Sequence, residues 1–501
     1  MLTEHLPALF AQCPQAPFMS FTVPTTHSAP ILAATHIDAR QQTVPAEGSP
    51  FPRLIEHFHT GTGIPAVLNT SLNSGGEPIV ESPEQALAFL FSTSTDALVI
   101  NHAVILKEDQ LDTVDTIVIG GGIAGLLTAL RLARSGQHVA LVEADRLGSG
   151  ATCANHGMLH SGALYARRHG HIVRHCQQAH PAFSALLGTA ELPTEDAVYI
   201  LPPTEAVEFL FHLDTHGITH HQLTPDDVPE LRRSVTTTHV LITVRERVFS
   251  SRRIIATLAA QCLAAGVTIL TGNAIDRITH SAGRVTGVIL GAVEHVPAAS
   301  VVIAAGTGTP ELLTRIASRH RQLLKSRLDM MVHLPAARFR RGLIFAALDP
   351  PIVMPAPGGG ALSSFFGGVQ PEIAGRRDFP VDVIKAPLLL REMDQVLTPG
   401  TIDPGRASAY VAGKTDYVGT IHAENGVVNP GCHVIDHTQG DNLRGLYTVI
   451  TGKMTLGFHA SKDVTDTILG TDTPLLIEPQ EPTAIPTGLL AVEPWAPPTR
   501  I

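Results

Sequence analysis

Residues Asp115 to Glu143 restrict the possible folds of this chain more than any other stretch. They read DTIVIGGGIAGLLTALRLARSGQHVALVE: a β-branched run, a glycine-rich turn, an apolar-striped helix and a second apolar run closed by an acid. Gly120, Gly122 and Gly125 stand at G-x-G-x-x-G spacing. The first glycine permits a tight turn, the second lets backbone approach a pyrophosphate, and the third lets helix and strand pack closely. A diphosphate would sit on the N–H groups of Ile123 and Ala124 at the helix start, where the dipole favours an anion. Glu143 ends the second strand, where an acid accepts bonds from a ribose hydroxyl. The bare triplet also fits a purely structural turn; triplet, strands, helix and acid together predict a dinucleotide site. The helix is expected over Ala124–Ser135, with Leu126, Leu127, Leu130 and Leu132 on its apolar stripe, Arg131 and Arg134 off it, and Gly136 as its stop.

At 501 residues the chain exceeds one core and suits roughly two to four domains. Sparse charge and a net −10 argue against a nucleic-acid partner. The five cysteines, Cys13, Cys153, Cys176, Cys262 and Cys432, show no C-x-x-C spacing, so no metal site and no disulfide framework is indicated. The start, MLTEHLPALFAQCP, carries an acid where a secretory signal is basic, and no apolar run reaches membrane-span length. The expectation is a soluble cytoplasmic protein without a membrane partner.

The βαβ unit starts late, and other material precedes it. Helical patterns at Phe51–Gly61 and Glu84–Ser92 flank PAVLNTSLNSGGEPIV, whose polar loop can present amides, hydroxyls and backbone N–H groups to an anion. APFMSFTV (Ala16–Val23), THIDARQQTV (Thr35–Val44) and the stretch Thr62–Leu90 resemble the C-terminal part of O-carbamoyltransferases that decorate antibiotics and nodulation factors. In that family the transferase domain lies upstream of this part, and the stretch before the βαβ unit holds no counterpart to it. The resemblance implies a docking or stabilising domain. Arg40, Asn69, Ser71 and Asn73 are the candidates for a pocket that takes a phosphate or a substrate tail.

After Glu143 and Ala144 comes DRLGSGATCANHGMLHSGALYA, whose small residues let backbone lie against a flat or phosphorylated ligand. This string resembles flavoproteins of the D-amino-acid oxidase superfamily, in particular anaerobic glycerol-3-phosphate dehydrogenases, L-2-hydroxyglutarate oxidases and glycine oxidases. The resemblance implies FAD, with Ser149, Gly150, Ala151 and Thr152 on the diphosphate and ribityl chain. Asn155, His156, Gly157, Met158 and onward to Ser161 would pass the isoalloxazine. His156 and His160 are left open between ring contact, a covalent flavin link and a structural role. Two further landmarks follow from the resemblance: Ala304, Ala305 and Gly306 beside the dinucleotide, and Thr451, Gly452, Lys453, Met454 and Thr455 at a helix entrance by the ring. Lys453 there would stabilise negative charge on the reduced ring, or stand as a plain surface lysine.

His220 and His221 have no convincing metal-ligand spacing and default to packing or solvent. Helices are expected at Ser251–Ala265, stopped by Gly266, and Lys385–Leu397, with a strand at Thr268–Thr271. In AYVAGKTD (Ala409–Asp416) the related enzymes place an arginine where this chain has Lys414, which offers a point charge and no bidentate fork. Tyr410, Lys414, His459 and His160 are the candidates for orienting substrate or handling its proton.

The expected fold is α/β, a Rossmann-like FAD-binding domain with a β-rich substrate domain and a small N-terminal α/β carbamoyltransferase-like domain. The segments run 1–110 (carbamoyltransferase-like), 111–190, 246–318 and 416–472 (FAD-binding), 191–245 and 319–415 (substrate), and 473–501 (proline-rich tail). The expected function is FAD-dependent oxidation of a CH–NH bond in an amino acid or amine, giving an imine, with O2 reduced to H2O2. Specialised metabolism such as antibiotic biosynthesis is its setting by association. The alternative is CH–OH oxidation in a hydroxy acid or a glycerol-3-phosphate-like substrate. From another class comes a non-catalytic partner protein that binds a nucleotide or carbamoyl phosphate. Self-association or partner docking is assigned to the N-terminal domain.

Overall fold

Val114–Ile119 (β1), Ile123–Arg134 (α1) and Val139–Val142 (β2) form the expected βαβ unit in a computed structural model of the chain. The structure describes residues 5–10, 21–23, 39–41, 51–68, 70–73, 78–93, 95–101, 103–106, 114–290, 294–345, 352–369, 385–419, 431–486 and 488–492. Contacts divide the chain into two units, Met1–Val80 and Glu81–Ile501.

In the first unit, helix Phe51–Thr62 buries Pro52 and Ile55 and leaves Phe51, Leu54 and Phe58 exposed. Strands Phe21–Val23 and Ala39–Gln41 pair antiparallel, with Thr22 opposite Arg40. Ser71 and Asn73 share a turn, Asn73 N–H donating to Ser71 O at 3.1 Å. Asn69 lies outside the described residues, as do Cys13, all of residues 107–113 and the tail from 493.

The second unit holds two eight-stranded sheets. In the first, Thr268–Leu270, β2, β1 and Glu294–Ile303 run parallel in that order. Glu294–Ile303 also pairs antiparallel with Arg284–Leu290, and its C-terminal end pairs parallel with Leu446–Ile450. All four residues of β2 are buried, as a strand covered on both faces requires. Two helices flank α1: Ser251–Ala264, and the later Gly457–Leu469. A third, Gly170–Leu187 (α2), has no counterpart among the sequence-based expectations. Its apolar face, Ile172, Val173, Cys176, Ala179, Phe183, Leu186 and Leu187, joins the same side of the molecule, with Phe183 packing on Phe249 and Phe458. We label Ser251–Ala264 α3 and find it one residue shorter than expected.

The second sheet is built by two separate passes of the chain. Ala197–Leu201, His220–Leu223 and Val240–Val244 come from the first pass. Leu324–Leu334 (β3), Leu343–Phe345, Ile352–Pro355, Ala361–Val369 and Ser408–Tyr417 (β4) come from the second. Between the first-pass strands lies a helix, Pro203–Thr215, which the mixed polar pattern there did not announce. One face of the sheet, Met330, Val332 and Ala409, packs on helix Lys385–Val396. The opposite face, Met331, Leu362, Tyr410 and Ala412, packs against Ala154 of the glycine-rich string. Sheet and dinucleotide loop are thereby brought together.

Gly457–Leu469 (α4) closes the fold on α1, and the chain after it lies along α1 and α3. Arg131, expected off the apolar stripe, is 5% exposed. Its guanidinium donates to Ser461 Oγ at 2.9 Å, Pro474 O at 2.6 Å and Leu475 O at 2.5 Å. Burial lowers its pKa to about 10, so the group is still charged at neutral pH. Arg131→Met strands these acceptors and should cost about 2–3 kcal/mol in urea unfolding of the flavin-loaded protein. A loss under about 0.5 kcal/mol would show that the tail is not anchored here.

Candidate active site

The glycine loop is shaped by close approaches. Gly120 has φ +114°, and a Cβ there would lie 2.4 Å from Ala304 O; a Cβ on Gly125 would lie 1.9 Å from Gly120 O. Glu143 Oε2 accepts from Gly121 N–H at 2.7 Å and Oε1 accepts from Asp145 N–H at 2.9 Å, which holds the acid against the loop. Thr152 Oγ1 accepts from Ile123 N–H at 3.1 Å, tying the second small-residue loop to the start of α1. Ala124 and Ala144 are partly buried beside it, and Ser149 and Gly150 are exposed. Asn155 Nδ2 donates to Ala151 O at 3.0 Å and Thr152 O at 2.6 Å, while its Oδ1 accepts from Gly157 N–H at 2.6 Å. One amide thus sets the course of the chain from Ala151 through His156 to Met158. Ala304 N–H bonds Ile119 O at 2.8 Å, which brings Ala305 and Gly306 to the glycine loop. Thr455 Oγ1 accepts from His160 N–H at 2.9 Å, so the entrance of α4, with Gly452, Lys453 and Met454, meets the histidine string. Bare glycine backbone at a helix N-terminus, with an acid at the end of β2, fits the diphosphate and ribose of FAD.

Strand alternation builds the other wall. β3 and β4 pair antiparallel with Arg327 opposite Lys414 and Met331 opposite Tyr410, so Arg327, Asp329, Tyr410, Lys414 and Asp416 share one face. Lys414 Nζ lies 2.9 Å from Asp416 Oδ1, Arg327 Nε 2.9 Å from Asp416 Oδ2, and a second Arg327 nitrogen 3.3 Å from Asp329. Burial, then neighbouring Lys453, lowers Lys414 to about 8. Lys453 itself is lowered, by burial first and by Arg327 next, with Asp416 and Asp329 opposing. Three cations and two carboxylates therefore face one another among the described residues.

His160 borders this cluster. It is 5% exposed and its Nδ1 is buried without a hydrogen-bond partner. Its pKa falls well below 6.5 through burial, with Lys453, His156 and Lys414 adding repulsion, so the imidazole is neutral. His156 falls to about 4, by burial first and Lys453 second. Sequence reasoning did not find Arg327, Asp329, Asp416 or Glu246. The first three were available from period-two alternation in LKSRLDMM and AYVAGKTD; Glu246 had no signal.

Glu246, 1% exposed, accepts from Tyr199 Oη at 2.8 Å, Ser161 Oγ at 2.8 Å and Ser161 N–H at 2.9 Å. It clamps the residue after His160. Burial outweighs these bonds and raises its pKa from 4.5 to about 7. The folded protein thus holds a proton that the unfolded chain releases, so this group's contribution declines as pH climbs from about 4.5 through about 7. Glu246→Gln should remove that slope, read as the difference in unfolding temperature between about pH 5 and pH 8. An unchanged slope would place the proton elsewhere.

His459 sits apart, on α4. Its ring stacks on His175 at 4.4 Å, and the charged groups facing it are His175, Arg131 and Lys462.

A family model described as FAD dependent oxidoreductase matches residues 115–448. The chain belongs to that family. This FAD-dependent oxidoreductase also matches, over residues 1–107, a model described as Carbamoyltransferase C-terminus. A subunit of the anaerobic glycerol-3-phosphate dehydrogenase of Escherichia coli (strain K12) is 26% identical over 365 residues, covering 70% of this chain and 66% of that protein. The chain thus spans slightly under two thirds of that relative's length. Nodulation protein NolNO of Sinorhizobium fredii is 41% identical over 96 residues, 18% of this chain and 14% of that protein. The crystal structure of glycine oxidase from Geobacillus kaustophilus superposes with a TM-score of 0.55 at 18% identity, covering 72% of this chain and 95% of that one. This last likeness concerns the fold. No helix among the described residues is long and apolar enough to cross a membrane.

Proposed function

We propose that this oxidoreductase oxidises a secondary alcohol on a small substrate with one negative charge, a hydroxycarboxylate being the simplest. The observation that carries the reading is the neutral, buried His160 with an unpartnered Nδ1 beside Lys453 and Lys414. Removing hydride from a C–OH carbon leaves a hydroxyl proton that needs an acceptor, and a neutral imidazole supplies one. Bound FAD supplies the hydride acceptor. Lys414 and Arg327 hold the carboxylate through charge; Asp416 and Asp329 already offset two of the three cations, which favours a monoanion over a phosphate dianion. The name of the E. coli relative agrees with CH–OH chemistry, and Lys414 in the arginine position argues against a phosphate fork.

Asp329 favours a second reading. Its pKa is raised by burial, and it can take a proton from an ammonium group, as oxidation of an amino acid or amine requires, with O2 as acceptor. Anaerobic bleaching of the yellow protein by hydroxy acids, glycerol 3-phosphate, amino acids and amines separates the two. Bleaching by amines alone would overturn the alcohol reading, and a colourless protein that takes up no FAD would overturn both. Oxygen uptake against an artificial acceptor then identifies the oxidant. Because Lys414 binds an anion only while protonated, KM for the anionic substrate should rise as pH passes about 8, and Lys414→Arg should remove that rise.

A further inference from the structure

Three elements hold the main chain around His160. At the entrance of α4, Thr455 Oγ1 accepts from His160 N–H at 2.9 Å. From α2, His180 Nε2 donates to His160 O at 3.1 Å, the direction a carbonyl imposes. The third hold comes from the segment Glu246–Phe249. Arg247 and Val248 pair antiparallel with Leu159 and Met158, and Phe249 N–H donates to Gly157 O at 2.8 Å. A Cβ on Gly157 would lie 2.0 Å from Phe249 O, so the two segments meet backbone to backbone. One step on in that register, Glu246 stands opposite His160, and its carboxyl turns onto Ser161.

A carboxyl is an expensive group to place there. Glu246 is 1% exposed and has no ion-pair partner among the described residues. Burying such a group destabilises a fold unless hydrogen bonds offset it. Three donors do so, Tyr199 Oη, Ser161 Oγ and Ser161 N–H, and two of them belong to one residue. Tyr199 is fully buried and fixes the far side of the carboxyl. Ser161 Oγ also accepts from Ala163 N–H at 3.2 Å, so turning that side chain away would break two bonds. The imidazole has no comparable anchor of its own: its Nδ1 lacks a hydrogen bond, and Tyr165 packs on the ring at 5.8 Å between centroids. Its aim is therefore set by the main chain that carries it.

We propose that Glu246 is a positioning residue for His160: through both polar atoms of Ser161 its carboxyl holds the imidazole Nδ1 where the substrate's hydroxyl proton is taken. The inference rests on the reading of His160 as the proton acceptor. A base works only from hydrogen-bond distance, and a displacement of about 1 Å near a reacting group costs on the order of 10²-fold in rate. The three bonds of Glu246 go to Tyr199 and Ser161, so it acts on the imidazole through the chain.

The test is a double-mutant cycle on the flavin-loaded full-length protein. It is read as the limiting rate of anaerobic bleaching and the half-saturating concentration, with the hydroxy acid that bleaches the wild type fastest. Glu246→Ala should lower the limiting rate ~10–100-fold and leave the half-saturating concentration within ~2-fold. Glu246→Gln should stay within ~3-fold of the wild-type rate, because a carboxamide offers Ser161 N–H an acceptor and the two hydroxyls donors. In the His160→Asn background, Glu246→Ala should cost no more than ~2-fold, since no imidazole is left to aim. A merely structural defect would slow both backgrounds alike. Ring-nitrogen NMR of protein carrying isotope-labelled histidine supplies a readout without turnover. The His160 signal, identified by its loss in His160→Asn, should be single in the wild type and in Glu246→Gln and broadened or doubled in Glu246→Ala. If Glu246→Ala does not retain FAD, Ser161→Ala takes its place; it removes one bond of the three, and a ~3–10-fold loss is expected. Equal losses in both backgrounds, a loss that Gln does not restore, or an unchanged rate would each overturn the proposal and leave His160 in its role. A His160→Asn loss below about 10-fold would overturn that role and this inference with it.

Discussion

Gly125→Ala should abolish FAD retention. A Cβ at this position would sit 1.9 Å from Gly120 O, and the two nearest atoms are backbone rather than flexible side chain. Helix α1 would have to withdraw from the turn, and Gly120 has its own constraint, a Cβ-sized space already taken by Ala304 O at 2.4 Å. The N–H groups of Ile123 and Ala124 then leave the position where they face a diphosphate. We expect at least ~100-fold weaker FAD binding, measured as flavin absorbance per protein after purification and by reconstitution. Gly188→Ala is the matched control, since a Cβ there meets nothing within 4 Å. Equal flavin content in the two variants would mean that the glycine loop does not hold the cofactor.

His160→Asn should lower kcat by about 10²–10⁴-fold while flavin content stays unchanged. The His160 main-chain N–H, which bonds Thr455 Oγ1 at 2.9 Å, survives the substitution, so the string keeps its course past the ring site. What is lost is the neutral imidazole whose Nδ1 has no other partner. An amide cannot take the hydroxyl proton, and hydride removal must then wait for alkoxide formed in solution. The variant's rate should therefore climb with pH where the wild type is flat. A loss below about 10-fold, or no gain at high pH, would remove His160 as the proton acceptor and favour the amine reading.

The flavin domain was legible because its signals are local. Gly120, Gly122, Gly125 and Glu143 lie in one continuous stretch, and each is required by the backbone or by the ligand at its own position. Asn155 is held mainly in the same local way: three of its bonds reach no further than Gly157 on one side and Ala151 on the other, and one, from Ser251 Oγ at 3.4 Å, comes from far along the chain. The long helix α2 was not legible: Pro181 lies inside it and histidines interrupt its pattern, yet burial of Phe183 and Leu187 holds it as helix. Arg131 reads as a surface residue and is buried, because the carbonyls that satisfy it arrive from Pro474 and Leu475, far along the chain.

The face shared by β3 and β4 divides along the same line. Alternation puts Tyr410, Lys414 and Asp416 on one face of a strand, and sequence alone suffices for that. That Arg327 stands opposite Lys414 depends on strand register between segments far apart in the chain, which neither segment encodes by itself. The clamp of Glu246 on Ser161 and the stacking of His175 on His459 are of this second kind. Sequence by itself determined the family and the cofactor, because glycines without a Cβ and an acid at a strand end are what a dinucleotide requires of such a turn. Only the tertiary structure decided which charges of β3 and β4 meet and which buried histidines keep a nitrogen without a partner, because charge compensation and burial are properties of neighbours in space.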